Sequence, residues 1–318
     1  MSKLSISFIF LCLFTTSLLA QKKQTEDTPE GNAELEKPTS YFKLGAGIGN
    51  QLLSIHNKAL NAGQNVNGII FTPSIGYYHK SGFGLSFEGY LLKDSGKTNF
   101  YQSALTPSYE YDGNDIIFGV SYSRFFVKNK YGGATSPIQN DIYTNVLFKK
   151  NWLKPGIAVG YSSGTYKEIN LVTVTLPQIG TITFPDTAKT KTTAFSLIGS
   201  LEHTFEFFNI LSEDGFLSFT PSLLANAGSA KFVVTHANRF SASPSNAGRG
   251  RAKFRGGAGT GESSVSKFGL QSIGANFNLL YTIGKFSLEP QVYLDYYLQQ
   301  TDTNKFTQVY SINMAITF

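Results

Sequence analysis

The strongest constraint on this chain is an alternation with a period of two residues. From Tyr41 to Phe318 it breaks into segments of about ten to fifteen residues. In each segment large apolar side chains alternate with small or polar ones, and each segment ends in turn residues. The last segment is the clearest. Between Phe306 and Phe318, Tyr310, Ile312, Met314, Ile316 and Phe318 share one face, and Thr307, Val309, Ser311, Asn313, Ala315 and Thr317 share the other. A period of two is the pitch of a half-buried strand. The pattern predicts about twelve strands, over 41–50, 68–80, 83–93, 100–111, 115–127, 139–149, 153–164, 190–205, 215–228, 265–283, 286–299 and 305–318.

Composition decides what covers the apolar faces. Charged residues make up only 15% of the chain and aromatics 14%, with 31 Gly, 27 Phe and 17 Tyr. Soluble domains carry roughly a quarter charged residues. A mean hydropathy of −0.10 is too polar for a bundle of membrane helices. Past the N-terminal stretch no run of about 18 apolar residues occurs. The expected apolar face includes Phe42, Leu44, Phe87, Phe118, Leu223, Ile273 and Val292; the opposite face carries Gly45, Gly47, Ser86, Ser196, Asn276 and Gln291. A soluble sandwich would alternate in the same way, but its solvent face would be richer in Lys and Glu. The formal charge of +6 is too small to point to a nucleic-acid partner.

Residues 1–20 read as a secretory signal peptide: Lys3, an apolar stretch from Leu4 to Leu19, then Ala20 before polar Gln21. The rival reading, a membrane anchor, is marginally short. The only cysteine, Cys12, lies inside the segment, so a cleaved chain has no disulfide, thiol nucleophile or cysteine metal site. Residues 21–40 are polar and charged, with two prolines, and read as a flexible lead-in.

An alternating strand that ends on a free Phe resembles the assembly signal of outer-membrane β-barrels, carried here by Tyr310, Ile312, Met314, Ile316 and Phe318. With the hairpin periodicity over 41–318, the chain resembles the outer-membrane β-barrel proteins common in Bacteroidota. The resemblance implies a closed antiparallel up-and-down transmembrane barrel of about twelve strands, with ten or fourteen as alternatives. It also implies a place in the bacterial outer membrane, contact with lipid and lipopolysaccharide, and insertion by the barrel-assembly machinery. Tight connections such as Lys80-Ser81-Gly82 and Gly284-Lys285 would then face the periplasm. Long loops, expected at 51–67, 165–189 and 229–264, would lie outside. Aromatics cluster at expected strand ends, Trp152 and Phe205 on one side and Phe100 and Tyr161 on the other, as interfacial girdles do. Pro73, Pro107, Pro155, Pro221 and Pro290 fall within strands; lacking an N–H, they predict bulges or strained pairing.

No catalytic residue, metal site or cofactor is expected. Gly160-Tyr161-Ser162-Ser163-Gly164 matches a nucleophile-elbow pattern, which needs a strand-to-helix turn, and no helical pattern follows it. The histidines, His56, His79, His203 and His236, show no metal spacing. A hydrolase would need one of them within hydrogen-bond reach of a serine. On the barrel assignment Lys43, Glu88, Glu110, Lys154, Glu202, Glu289 and Asp295 face the lumen, and Lys154 should approach Glu202. These charges are either ion pairs bracing a partly filled barrel or a constriction that selects solutes. The Gly-rich stretch 229–264 carries Arg239, Arg249, Arg251, Lys253 and Arg255. It is read as a contact for lipopolysaccharide phosphates, an inward-folding gate for anions, or a solvated loop. Three functions follow: a passive channel for small polar solutes, an occluded barrel whose loops bind lipopolysaccharide or a surface partner, and an outer-membrane hydrolase.

Overall fold

The structure, a computed structural model, describes residues 39–50, 69–94, 97–127, 138–176, 180–236, 262–265, 267–298 and 305–318. All of them belong to one compact unit, Thr39–Phe318. The segments expected as signal peptide and lead-in lie outside the described residues, apart from Thr39 and Ser40.

The alternating segments form strands β1 (Tyr41–Gly49), β2 (Ile69–Tyr78), β3 (Phe83–Asp94), β4 (Lys97–Asp112), β5 (Ile116–Val127), β6 (Asn140–Phe148), β7 (Lys154–Leu176), β8 (Gly180–Glu202), β9 (Phe205–Phe208), β10 (Gly215–His236), β11 (Glu262–Val265), β12 (Gly269–Ile283), β13 (Phe286–Tyr297) and β14 (Phe306–Thr317). Neighbours in sequence pair antiparallel, β8 pairs with β10, and β14 returns to β1. Two short strands are continuations. β9 extends β8 along β10 past a break at His203-Thr204, and β11 extends β12 along the far end of β10. The result is a closed antiparallel barrel of twelve strands. Closure joins Lys43 to Thr317 and Gly49 to Ser311, so no backbone edge stays unpaired at the seam. An even strand number also returns Phe318 to the end where β1 begins, and Phe42 and Phe318 exchange backbone hydrogen bonds of 3.0 and 2.9 Å.

One rim is built from tight turns. His79 and Phe83 close the β2–β3 turn at 2.7 Å, with Gly82 at φ +94°, a conformation that favours glycine. Gly284, at φ +54°, serves the β12–β13 turn. Aromatic pairs ring this rim. Phe42 meets Tyr77 at 4.8 Å, Phe83 meets Tyr109 at 4.9 Å, and Trp152 packs on His203 at 4.4 Å.

The outward face is apolar around the whole barrel. Each long strand contributes at least one large exposed side chain, from Leu44 and Ile75 through Ile157 and Leu223 to Ile312. Leu223 is 62% exposed and Phe83 63%. At about 25 cal/mol per Å² such a continuous belt is costly in water, and monomeric soluble proteins rarely expose patches beyond a few hundred Å². Hydrocarbon is the solvent that suits it. Towards the far rim the belt gives way to polar groups. Arg124 donates to Asn140 Oδ1 at 2.6 Å, Tyr122 donates to the same oxygen at 2.8 Å, and Lys191 and Lys231 stand exposed.

The prolines interrupt the ladder without shifting its register. Thr72-Pro73 is unpaired on the β3 side between Phe71↔Leu91 and Ser74↔Glu88. Thr106-Pro107 is skipped against β5, and Glu289-Pro290 against β12. Pro221 sits opposite the His203-Thr204 break, and the β6–β7 ladder stops at Gly156, one residue short of Pro155. Of the expected bulges or strained pairing, the prolines give interrupted pairing and no bulge. A missing N–H removes a bond on one side, and the ladder on the other side holds the strand in register. The register shifts fall instead at Tyr90/Leu91 and Asn226/Ala227.

The expected loop at 165–189 is also corrected. Thr165–Leu176 pairs with Gly180–Lys191 as the tip of a long hairpin of 23-residue strands. A membrane-spanning strand needs about 9–11 residues, so this hairpin runs well beyond the apolar belt. Its Ile, Val and Thr content favours extended backbone. Part of 229–264 is likewise strand, in β10 and β11; residues 51–67 and 237–261 lie outside the described residues.

Candidate functional site

The lumen is where polar groups converge. On β1 the outward residues Phe42, Leu44 and Ile48 leave Lys43, Gly45 and Gly47 pointing inward. The inward glycines make room for their neighbours. A Cβ on Gly45 would run into Ser74 Oγ, and one on Gly47 would collide with Thr72 Oγ1 and Asn313 Oδ1. A cavity of about 290 Å³ results, walled by β1, β2, β3, β13 and β14. Lys43, Glu88 and Glu289 all line it, beside Tyr90, Gln291 and Asn313.

Neutral donors hold its carboxylates. Tyr90 donates its hydroxyl to Glu88 Oε2 at 2.7 Å, and Asn278 donates to Glu289 Oε1 at 2.9 Å. One rung further along, Gln291 donates to Asn276 Oδ1 at 2.8 Å. Among the described residues the ion pairs within 4 Å are Lys149–Asp112 and Lys150–Asp115, both at the tight-turn rim.

Towards the far rim the lumen fills with side chains. Asp295 is 1% exposed and accepts a 2.5 Å hydrogen bond from Tyr293. Asn226 donates to Ser272 Oγ at 2.9 Å and to Tyr293 at 3.5 Å. Gly274 is required beside this cluster, because a Cβ there would overlap Tyr293 Oη and approach Leu294 O at 2.8 Å. Across the barrel Ser162 donates to Asp141, both buried. Ile138, Ala194 and Ala230 form a small apolar cluster with Phe125. In the tight-turn half, by contrast, Lys43, Ser86, Glu88 and Ser200 keep part of their surface open. Other inward residues of that half, Ser218, Ser222 and Ala315, are buried.

The remaining sequence candidates are placed as follows. Lys154 and Glu202 are direct cross-strand partners, and Glu110 lies near the tight-turn rim opposite Gly119. Asp295 is sealed by its neighbours rather than lining open space. Tyr310, Ile312, Met314, Ile316 and Phe318 project outward, each at least 43% exposed, and Lys285 lies 5.8 Å from the Phe318 ring centroid. Arg239, Arg249, Arg251, Lys253 and Arg255 lie outside the described residues, as does His56.

Ser162 of the elbow-like pattern sits in the middle of continuous strand β7, facing Asp141. A serine–histidine contact does occur: His79 Nδ1 lies 2.7 Å from Ser81 Oγ and 3.3 Å from Ser81 N. Both groups converge on one ring nitrogen two residues away, in an exposed turn, so the contact closes the turn.

Asp141, Tyr90, Asn226 and Tyr293 were not singled out from sequence. The inward phase of β6 was a sufficient signal for Asp141. The others matter only through partners on adjacent strands, such as Ser272 for Asn226, 46 positions away.

No protein-family model matches the sequence, and neither does any curated protein. Solved structures that resemble it include an outer-membrane channel from Pseudomonas putida F1, at 10% identity and a TM-score of 0.40, covering 92% of this chain and 100% of that one. The NanC porin, at 9% identity and a TM-score of 0.35, covers 86% and 98%. The CymD monoaromatic hydrocarbon channel, at 8% and 0.33, covers 89% of each.

Proposed function

We propose that the protein is a passive channel for small polar solutes in the bacterial outer membrane, among barrels of the Bacteroidota type. The observation that carries this reading is a cavity of about 290 Å³ inside a closed barrel, walled mainly by hydroxyl, amide, glycine and charged groups, with Ile70 and Ala315 among them, under an apolar exterior. Such a wall can exchange hydrogen bonds with a hydrated solute at every rung, and the exterior holds it in lipid. The outward apolar face of β14, with Tyr310, Ile312, Met314 and Ile316, supports handling by the barrel-assembly machinery. The polar outer face around Arg124, Lys191 and Lys231 suits lipid headgroups. The reading includes no catalytic step: the histidine–serine contact serves a turn, and Ser162 lies in a strand.

The purified protein in a planar lipid bilayer should give discrete conductance steps. A membrane that stays silent at all protein loads would contradict the channel. One observation favours a second reading, an occluded barrel that acts through its outer connections. Inward residues of the far half, among them Ile70 at 1%, Ser162 at 0% and Ser272 at 0%, are fully covered. The same recording separates the two.

A further inference from the structure

We propose that the lumen is selective for cations and favours small cationic or amine-bearing solutes over anions. The proposal deepens the channel reading and rests on it. Its basis is a segregation of charge across the barrel wall. Every acidic strand residue whose side chain is described takes the inward phase. Glu88, Asp141, Glu289 and Asp295 lie within the barrel, Glu110 and Glu202 lie towards the tight turns, and Asp112 and Glu206 sit at that rim. Basic strand residues go mostly the other way. Lys93, Arg124, Lys189, Lys191 and Lys231 share the outward phase of the apolar side chains, and only Lys43 and Lys154 among the described strand residues face in.

Random placement of charges would not sort them by sign. Hydrophobic demand explains why acids leave the lipid face, but it does not explain why so few cations, Lys43 and Lys154, join them inside. The carboxylates of Glu88 and Glu289 take neutral donors, Tyr90 and Asn278, and neither forms an ion pair within 4 Å among the described residues, so the two acids outnumber the single cation, Lys43, at the cavity wall. Deeper in, Asp295, only 1% exposed, is again held by neutral donors, the hydroxyls of Tyr293 and Tyr297. A low-dielectric tube lined mainly by one sign of charge focuses its field and concentrates counter-ions along its axis.

The test is the reversal potential of the single channel in a potassium chloride gradient. We expect potassium to be favoured over chloride by about threefold or more. Glu88→Gln, Glu289→Gln and the double variant should bring the ratio progressively towards one. The outward substitution Lys231→Gln should leave it unchanged. The wild-type measurement alone is decisive if a lumen variant fails to fold. A conducting channel that prefers chloride, or shows no preference, overturns the proposal and leaves the channel intact. An unaltered ratio in folded double variant overturns it as well. A silent bilayer removes the channel and the selectivity together.

Discussion

Each residue in this barrel is judged by two solvents, and its phase in the strand decides which. Leu223 faces outward near the middle of β10. Leu223→Arg should cost about 2–4 kcal/mol, the penalty for a charge at bilayer mid-depth; urea unfolding from lipid vesicles would measure it. Inward positions answer to packing instead. Gly274→Val must displace Tyr293 and Asp295, and should destabilise by about 1–3 kcal/mol. On the outward face, Gly199→Ala, with nothing within 4 Å of the added carbon, should change stability by less than about 0.5 kcal/mol in the same assay. Alternation made the phase of most such residues legible, including Lys43, Glu88 and Glu289. The hydrogen bonds that fix what they do were not legible. Asn278–Glu289 and Asn226–Ser272 depend on strand register, which a single chain of letters does not display.

At the scale of elements, strand bounds followed the alternation closely because lipid on one side and polar groups on the other enforce it. β1, β5, β6, β10, β13 and β14 begin within one residue of the expected positions. The signal failed beyond the membrane, where both faces of a strand meet water. Thr165–Leu176 and Gly180–Lys189 therefore looked like a loop, yet they form the end of the β7–β8 hairpin. Because that tip exceeds the length a membrane requires, replacing 169–182 by a short turn should leave the barrel folded, with unchanged heat-modifiable mobility on electrophoresis. Proline placement was legible, and so was disturbed pairing, but not that the register would hold: the strands skip bonds at Pro73, Pro107 and Pro290 and keep their register. Deleting Phe318 removes a backbone pair with Phe42 and an exposed ring at the seam between β1 and β14. Assembly into vesicles should slow at least several-fold, which a time course of heat-modifiable mobility would record.

For the molecule as a whole, one condition links the belt, the closed seam and the polar lumen: the exterior must be in hydrocarbon. In water the same belt would drive association, since it surrounds the barrel and includes side chains such as Phe83 and Leu223 that are more than 60% exposed. Unpaired strand edges would add to that tendency if the β1–β14 seam opened. Function was less legible than fold at this scale, because lumen width depends on how twelve inward faces meet rather than on any one of them. The most direct measurement is refolding of the denatured chain by dilution, with and without phosphatidylcholine vesicles, followed by heat-modifiable mobility on electrophoresis. The account predicts a compact, heat-sensitive form only with vesicles, and aggregation without them. A monomeric, fully folded protein in plain buffer would contradict it.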